Sequence, residues 1–323
     1  MSKLCVLALL TSGVLIPPVV GAQVPAYLLQ WGSQGGLPGQ FHFPLYVATD
    51  AAGDVFVVDN YNNRIQKFTG TGAFLLEWGG QGNGIGQFDG PCGVATDAAG
   101  YVYVSDLLNH RIQKFTGTGV YVTQWGSLGG ANGQFNLPRG LAIDPAGDVY
   151  VADSGNYRIQ KFTSTGTYLI QWGSAGTGNG QFEQPGGVAA DPGGHVFVSD
   201  FVTDRIQKFT STGTYLTQWG STGAGNGQFD FPAGVATDAE GNVFVAEYYN
   251  DRVQKFTSTG TYLLRWGTFG SGDGQFHGPW GIAVAPAGFI FVADTRNYRV
   301  QKFAPGVSPT KSSTWGRLKT LYR

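Results

Sequence analysis

The stretch Gly140-Leu-Ala-Ile-Asp-Pro-Ala-Gly-Asp-Val-Tyr-Val-Ala-Asp-Ser-Gly-Asn-Tyr-Arg-Ile-Gln-Lys-Phe162 decides the fold, because its pattern recurs along most of the chain. A Gly-Gln-Phe triplet precedes each copy, with its phenylalanine at positions 41, 88, 135, 182, 229 and 276, so every step is 47 residues. Six Trp-Gly pairs and six strings that open with arginine keep the same step, beginning at Trp31 and Arg64. The chain is therefore an internal repeat of six units.

Each unit contains four short apolar runs separated by turn signals. In the second unit the runs are residues 94–96, 102–105, 111–116 and 120–125. The turn sequence Asp-Ala-Ala-Gly separates the first run from the second, and Thr-Gly-Thr-Gly separates the third from the fourth. A period of this length fits either helical solenoids or propeller blades. No run has a helical period, and valine, tyrosine, phenylalanine and threonine dominate, which favours strands. The repeat thus predicts an all-β, six-bladed β-propeller of four-stranded antiparallel blades.

The two ends of the repeat predict how the ring closes. Residues 26–32, Ala-Tyr-Leu-Leu-Gln-Trp-Gly, match the fourth strand of the other units but have no first three strands before them. The sixth unit has three strands and no matching fourth. We expect the N-terminal strand to complete the last blade, which removes the open sheet edges. A competing prediction uses Trp315-Gly316 as the closing strand, although it falls two residues off the period.

Composition excludes several classes of protein. Glycine accounts for 52 of 323 residues, but aromatic residues reach 14% and apolar residues 42%, so the chain is neither disordered nor collagen-like. Only 13% of the residues are charged, against about 25% in typical proteins. Without Lys3 and the basic C-terminal stretch, 15 basic residues face 21 acidic ones, a net charge of −6. An acidic body disfavours nucleic acid as a partner.

The first 22 residues read as a secretory signal peptide. Lys3 supplies the positive start, residues 6–16 are uncharged and mostly apolar, and Val20-Gly21-Ala22 fits a cleavage site before Gln23. The apolar stretch is too short to span a membrane. We therefore predict three segments, which are the signal peptide (1–22), the propeller (23–303) and a flexible basic tail (304–323). The mature chain would be secreted, extracellular or periplasmic, with no membrane span and with Cys92 as its single thiol.

The units resemble NHL repeats. The resemblance rests on the run Gly-Val-Ala-x-Asp-x-x-Gly-x-Val-Tyr/Phe-Val-x-Asp followed by Asn and Arg-Ile-Gln-Lys-Phe, and it covers residues 23–303. It implies a six-bladed propeller of the secreted bacterial type. Related propellers include the RNA-binding ends of tripartite-motif proteins, an amidating lyase, a streptogramin lyase and many secreted proteins without an assigned role. One fold hosts many functions, so the resemblance leaves the activity open.

Polar residues that recur in every unit are interpreted as structural. An acid ends each second strand and an arginine begins each third strand about five positions later, so the two are expected to pair across the turn. An aspartate before x-x-Gly reads as a turn residue in five units, whereas the sixth has Ala285. The six repeated tryptophans are expected to pack between blades.

Function is expected where the blades differ. The residue after each first-strand proline should circle one mouth of the central channel, and the second-to-third turns should lie on the same face. Candidate ligand-binding residues are those that the repeat does not demand: Tyr46, Cys92, Arg139, Phe201, Tyr248, Trp280 and Arg296. Aromatic residues and arginine are the types that anchor interfaces.

No catalytic set emerges from the sequence. A zinc lyase would need clustered histidines, but His42, His110 and His277 lie in loops and His195 lies on the opposite face, so we predict neither a metal site nor a cofactor. The leading hypothesis is a secreted monomer that is not an enzyme and binds a protein, peptide or glycan through the channel-mouth face. The alternative is a propeller lyase or hydrolase with a metal-assisted site in the channel.

Overall fold

Six four-stranded antiparallel sheets are arranged as blades in a computed structural model that describes residues 23–305. Blades 1 to 5 each use four consecutive strands, and blade 6 combines three C-terminal strands with the first strand of the chain. The predicted six-bladed β-propeller is therefore confirmed. The proposed signal peptide and all but the first two residues of the predicted tail lie outside the described residues. In the described part of the chain, no helix is long and apolar enough to cross a membrane.

The strands are short and nearly identical in length from blade to blade. The closing strand β1 is Tyr27–Trp31. Strands β2 to β13 form blades 1 to 3: Pro44–Thr49, Val55–Asp59, Arg64–Phe68, Phe74–Gly79; Pro91–Thr96, Val102–Asp106, Arg111–Phe115, Tyr121–Trp125; Pro138–Ile143, Val149–Asp153, Arg158–Phe162, Tyr168–Trp172. Strands β14 to β24 form blades 4 to 6: Pro185–Ala190, Val196–Asp200, Arg205–Phe209, Tyr215–Trp219; Pro232–Thr237, Val243–Glu247, Arg252–Phe256, Tyr262–Trp266; Pro279–Val284, Ile290–Asp294, Arg299–Phe303. Short 3-10 turns occupy Asn60–Asn62, Ser154–Asn156 and Thr295–Asn297.

The N-terminal strand closes the ring, as the sequence predicts. Strand β1 pairs antiparallel with β24, with Trp31 opposite Val300 and Gln30 opposite Gln301. The Ala304 amide extends the ladder by donating a 2.8 Å hydrogen bond to the Ala26 carbonyl. Strand β1 therefore occupies the edge that β24 would otherwise expose. The competing segment at Trp315 lies outside the described residues.

Burial of the strands explains the scarcity of charge. Every residue of the second strands is buried, because neighbouring blades cover both faces of each sheet. The fourth strands lie at the rim, and most of them alternate between partly buried and exposed residues. Charge is therefore concentrated in turns, in the rim and in buried pairs.

Aromatic residues fill the seams between blades. Trp31 of blade 6 packs against Phe68 of blade 1 at a ring-centroid distance of 5.7 Å, and Phe41 of the connecting loop packs against the same ring at 5.6 Å. Gly32 adopts a φ of +108°, and a Cβ there would lie 2.6 Å from the Phe41 ring. The glycine of each Trp-Gly pair is thus required both by backbone conformation and by the buried phenylalanine. The predicted interblade position of the tryptophans is confirmed.

Each blade also contains a buried acid–arginine pair. In blade 1 the Arg64 Nε donates to Asp59 at 2.8 Å, and Asn62 and Gln66 donate to the same carboxylate. The remaining guanidinium nitrogens of Arg64 donate to three carbonyl groups of the loop at residues 36–40. The Asp59 side chain is fully buried. The pair therefore ties the interblade loop to its blade, which is the structural role expected of these repeated residues.

Blade 4 departs from this arrangement because Thr203 replaces the asparagine found in the other five blades. The equivalent of Thr203 in blade 3, Asn156, donates to both Asp153 and the Gly129 carbonyl. In blade 4 the shortest distance between Arg205 and Asp200 is 3.5 Å. The Arg205 Nε and the Thr203 hydroxyl have no hydrogen-bond partner among residues 23–305.

The first-to-second turns use aspartate as expected. The Asp50 carboxylate accepts hydrogen bonds from the amides of Ala52 and Asp54. In blade 6, Ala285 keeps the two backbone hydrogen bonds of the turn but cannot supply these side-chain contacts.

Deletion of residues 24–32 should destabilise the ring and expose the edge of β24. We expect a lower thermal midpoint and self-association, because an unpaired strand edge is a template for another chain. Calorimetry and size-exclusion chromatography measure both effects. Deletion of residues 306–323 is the control, and it should change neither. Unchanged melting and a monodisperse profile after the N-terminal deletion would contradict closure by β1.

Thr203→Asn should stabilise the protein. The new amide is positioned to donate to Asp200 and to the Gly176 carbonyl, as its counterparts do, and each net hydrogen bond contributes about 1 kcal/mol. Denaturant unfolding measures the change in the free energy of unfolding. The matched control Asn156→Thr should lose a similar amount in blade 3. A destabilised or unchanged Thr203→Asn variant would show that blade 4 tolerates threonine by a different packing.

Candidate functional site

The first strands of the six blades approach closely around the central channel. In five blades the second residue after the first-strand proline is glycine. A Cβ at these positions would lie 2.4–2.5 Å from a carbonyl oxygen of the next blade. The five glycines are Gly93, Gly140, Gly187, Gly234 and Gly281. Close backbone packing therefore leaves no space for a side chain at this level of the ring.

Blade 1 breaks this rule with Tyr46. It occupies the position that is glycine elsewhere, and its side chain is 7% exposed. A tyrosine here requires the seam between blades 1 and 2 to differ from the other five seams. Tyr46, a candidate from the sequence, is thus the one residue at this position of the inner ring that is not glycine.

The unrepeated residues come together in one group, here called the mouth cluster: Tyr46, Cys92, Phe201, Tyr248 and Trp280. Trp280 contacts Phe201 and Tyr248 edge-on, at ring-centroid distances of 5.8 and 5.2 Å. Trp280 belongs to blade 6, whereas Phe201 belongs to blade 4, Tyr248 to blade 5, and Tyr46 and Cys92 to blades 1 and 2. The cluster thus joins five blades at one end of the channel.

Two arginines lie against this cluster. The guanidinium of Arg139, from blade 3, lies over the Phe201 ring at 5.5 Å, and that of Arg296 lies over the Tyr248 ring at 4.9 Å. The Arg296 Nε also donates a 2.8 Å hydrogen bond to the Tyr248 hydroxyl. Arg139 is partly exposed and Arg296 is exposed. All seven residues chosen from the sequence therefore form one contiguous assembly, with the blade 3 residue completing the ring.

Three hydrogen-bond donors in this assembly have no partner among residues 23–305. They are the Tyr46 hydroxyl, the Arg139 Nε and the Trp280 indole nitrogen. The six repeated tryptophans also leave their indole nitrogens unpaired, so Trp280 alone is not distinctive. Among the described residues, Tyr46 has the one buried tyrosine hydroxyl without a partner, and an unpaired buried polar group costs about 1–3 kcal/mol.

Cys92 is a poor nucleophile in this setting. Its side chain is 1% exposed, and burial raises the pKa of the thiol to about 11, although the neighbouring Arg139 guanidinium lowers it. The thiol is therefore protonated in neutral solution and does not provide the thiolate that cysteine chemistry needs. Burial likewise raises the pKa of the Tyr46 hydroxyl, so both groups remain neutral.

The exposed part of this face is an aromatic border around the buried cluster. Tyr61 is 59% exposed and stacks on Phe43, while Tyr249 is 58% exposed and packs against Tyr248 and Phe231. We call Tyr61, Tyr249 and Arg296 the border residues. Tyr248 of the mouth cluster contacts Tyr249 and Arg296, and Phe43 contacts Tyr61, so most of the candidate residues lie beneath the exposed surface rather than in it.

Sequence reasoning missed Phe231 and Phe43 as parts of the site. Phe231 stacks on Phe201 at 4.6 Å and contacts Trp280 at 5.5 Å. Both phenylalanines have positive φ, at 56° and 66°, a conformation for which two other blades use glycine. The signal was therefore present, since bulky aromatics stand where Gly90 and Gly278 stand in blades 2 and 6.

The histidines of this face have separate environments. His110 Nδ1 lies 3.2 Å from the Leu137 amide and accepts a hydrogen bond from it, which links blade 2 to blade 3. His42 packs edge-on against Tyr61 and His277 against Phe269. Within residues 23–305, no group of three or more His, Cys, Asp or Glu side chains is placed to hold a metal ion.

Comparisons with known proteins agree with the fold. The family model described as "NHL repeat" matches residues 41–68, 135–162, 182–209, 229–256 and 276–303. Residues 88–115 of blade 2 fall outside these matches but carry the same sequence pattern. No curated protein sequence matches the chain.

Many solved structures share the propeller fold at low identity. A protein of unknown function from Bacteroides thetaiotaomicron has a TM-score of 0.66 at 16% identity, covering 88% of this chain and 83% of its own. A gluconolactonase from Xanthomonas campestris has a TM-score of 0.61 at 15% identity, covering 89% and 99%. A streptogramin B lyase has a TM-score of 0.59 at 15% identity, covering 85% and 97%. At these identities the similarity shows the fold alone.

The family model matches five of the six blades, and the repeat continues through blade 2. These units form a closed ring of six four-stranded blades. The chain belongs to the NHL-repeat family.

Proposed function

We propose that this chain is a secreted binding module that captures a protein, peptide or glycan at the channel-mouth face. The carrying observation is the convergence of the unrepeated residues. In a molecule whose six units otherwise repeat closely, large aromatic residues and two unrepeated arginines from different blades meet at one end of the channel. Hot spots of interfaces have this composition, with rigid aromatic anchors and arginine supported by packed neighbours.

The border residues are the proposed points of first contact. Tyr61 and Tyr249 present large surfaces with few rotatable bonds, and they rest on the partly buried Phe43 and the buried Tyr248, respectively. Arg296 is held against Tyr248 by a hydrogen bond and by its position over the ring. Held in this way, these side chains lose little conformational entropy when a partner covers them.

Secretion is part of the proposal and rests on the sequence of residues 1–22. The charged start, the short apolar stretch and the small residues before Gln23 fit a signal peptide. The protein collected from outside the producing cells should begin at Gln23 when its N-terminus is sequenced. An extracellular chain that begins at Met1, or one retained in the cytoplasm, would contradict this assignment.

Catalysis is the alternative, as a lyase or hydrolase with a metal-assisted site in the channel. Two structural neighbours are named as enzymes, a streptogramin B lyase and a gluconolactonase, and share the fold at 15% identity. Such a site needs a set of ligating side chains, and the described residues offer no group of three. We propose binding first because of the convergence of unrepeated aromatic residues and arginines at the channel mouth.

Substitution of all three border residues by alanine should abolish capture of the partner without loss of stability. The buried residues Trp280 and Tyr248 are unsuitable for this test, since truncating a buried aromatic costs about 3–5 kcal/mol. The wild-type and variant chains are immobilised in parallel, and material bound from the extracellular fluid is identified by mass spectrometry and glycan analysis. We expect a component held by the wild type alone.

The matched control is a triple alanine variant of the opposite face, at the exposed residues Val120, Thr165 and Glu240. It should retain the partner, and thermal melting should be close to wild type for both variants. A partner that the border variant still holds, or that the control variant loses, places the binding surface elsewhere.

A further inference from the structure

The mouth cluster contains hydrogen-bond donors but no matching acceptor. The Tyr46 hydroxyl, the Arg139 Nε and the Trp280 indole nitrogen are all buried and make no hydrogen bond of normal geometry with the described residues. Their nearest polar neighbours lie within the cluster, because the Trp280 indole opposes the effect of burial on the pKa of Tyr46 and the Arg139 guanidinium does so for Cys92. Tyr46 is 7% and Trp280 9% exposed. A tyrosine hydroxyl can also accept a hydrogen bond, but an arginine and an indole can only donate. These unpaired donors together therefore form a site that suits a hydrogen-bond acceptor.

The charge in the site is positive and uncompensated. Within residues 23–305 no carboxylate lies at ion-pair distance from Arg139, whereas each repeated arginine has its buried acid. The Arg139 guanidinium lies over the Phe201 ring instead. Its other close neighbours, Cys92 and Tyr46, are uncharged. An anion at this place would meet a guanidinium that has no carboxylate at ion-pair distance in the described part of the chain.

The position of Arg139 also gives the direction of approach. Arg139 is the partly exposed member of the group, and Tyr46, Cys92 and Phe201 form its buried surroundings. A ligand that comes from the channel-mouth face would therefore meet the guanidinium first and the Tyr46 hydroxyl next. The Phe201 and Trp280 rings, which pack against each other, would contact the apolar part of such a ligand.

We propose that the channel mouth is a carboxylate-binding subsite, in which a carboxylate group of the ligand accepts hydrogen bonds from Arg139 and Tyr46 beside the packed aromatic rings of Phe201 and Trp280. The proposal rests on the proposed binding function and specifies its chemistry. The carboxylate can belong to a small organic acid or to the C-terminus of a peptide. A planar carboxylate suits an arginine, and hydrogen bonds to charged groups are the stronger ones.

Calorimetric titration of the full mature chain with phenylacetate tests the subsite directly. Phenylacetamide is the neutral probe of the same shape. A second pair, a short phenylalanine-ended peptide with a free C-terminus and the same peptide as its amide, distinguishes a small acid from a peptide end. We expect at least one acid to bind saturably and its amide to bind at least tenfold more weakly.

Tyr46→Phe is the decisive variant, because it removes the hydroxyl and keeps the ring. It should weaken acid binding about tenfold or more, since hydrogen bonds to charged groups are worth more than neutral ones. Its thermal midpoint should equal or exceed that of the wild type, because an unpaired buried hydroxyl is lost. Arg139→Gln should lower the affinity further and abolish the preference for acid over amide.

Tyr150→Phe is the matched control for the loss of a tyrosine hydroxyl. The Tyr150 hydroxyl donates to Asp144 at 2.9 Å, so this variant should melt at a lower temperature and bind the acid with wild-type affinity. The proposal is overturned if no acid binds saturably at about 10 mM, tenfold above a Kd of 1 mM. It is equally overturned if acid and amide bind alike, or if both site variants keep wild-type affinity. Loss of capture by the border variant together with such a result would leave the binding function standing and remove only its carboxylate chemistry.

Discussion

The structure depends on a buried acid–arginine pair that is repeated once in each blade. The carboxylate at the end of the second strand holds the arginine that begins the third, and in blade 1 this arginine donates to three carbonyls of the loop that arrives from the previous blade. Burial raises the pKa of Asp106 and Asp294 although their arginines and asparagines lower it, so desolvation outweighs attraction for these carboxyls. A buried pair of this kind adds little net stability compared with apolar packing. Its contacts hold the loop from the previous blade against the blade that follows.

With the blades so oriented, the remaining repeated residues fill the space between them. Tryptophan, the loop phenylalanine and the third-strand phenylalanine meet at each seam, and glycine stands where a side chain would collide with a ring or a carbonyl. The constraint is strongest at the inner ring, where first strands nearly touch. Because of this crowding, a tyrosine at position 46 requires blades 1 and 2 to pack differently from the other pairs of neighbouring blades. The same reasoning connects Phe201 with Gly186, since the phenylalanine ring lies where a Cβ of residue 186 would be.

The site and the fold differ in how far the sequence predicts them. Identical spacing in six units predicts the strand order and the turns, and the unmatched strand segments at the two ends of the repeat predict closure. The candidate residues could be chosen as departures from the repeat, and the structure places all seven in contact. Their burial could not be read from the sequence, because Trp280 comes directly after a proline and Tyr46 two residues after one, and this spacing does not distinguish buried from exposed side chains. Phe43 and Phe231 directly precede the first-strand prolines, whereas the candidate residues come from positions after the prolines and from the second-to-third turns.

The sequence by itself determined the architecture, the pairing of acids with arginines, the interblade tryptophans and the closing strand. These features are local or periodic, so residue spacing alone defines them. Tertiary structure alone decided which side chains of different blades meet at the axis, which of them are buried, and that Arg139 has no acid beside it. These properties depend on distances across the ring between residues far apart in the chain. Periodicity places each blade but contains no information on how unlike side chains pack where the blades converge.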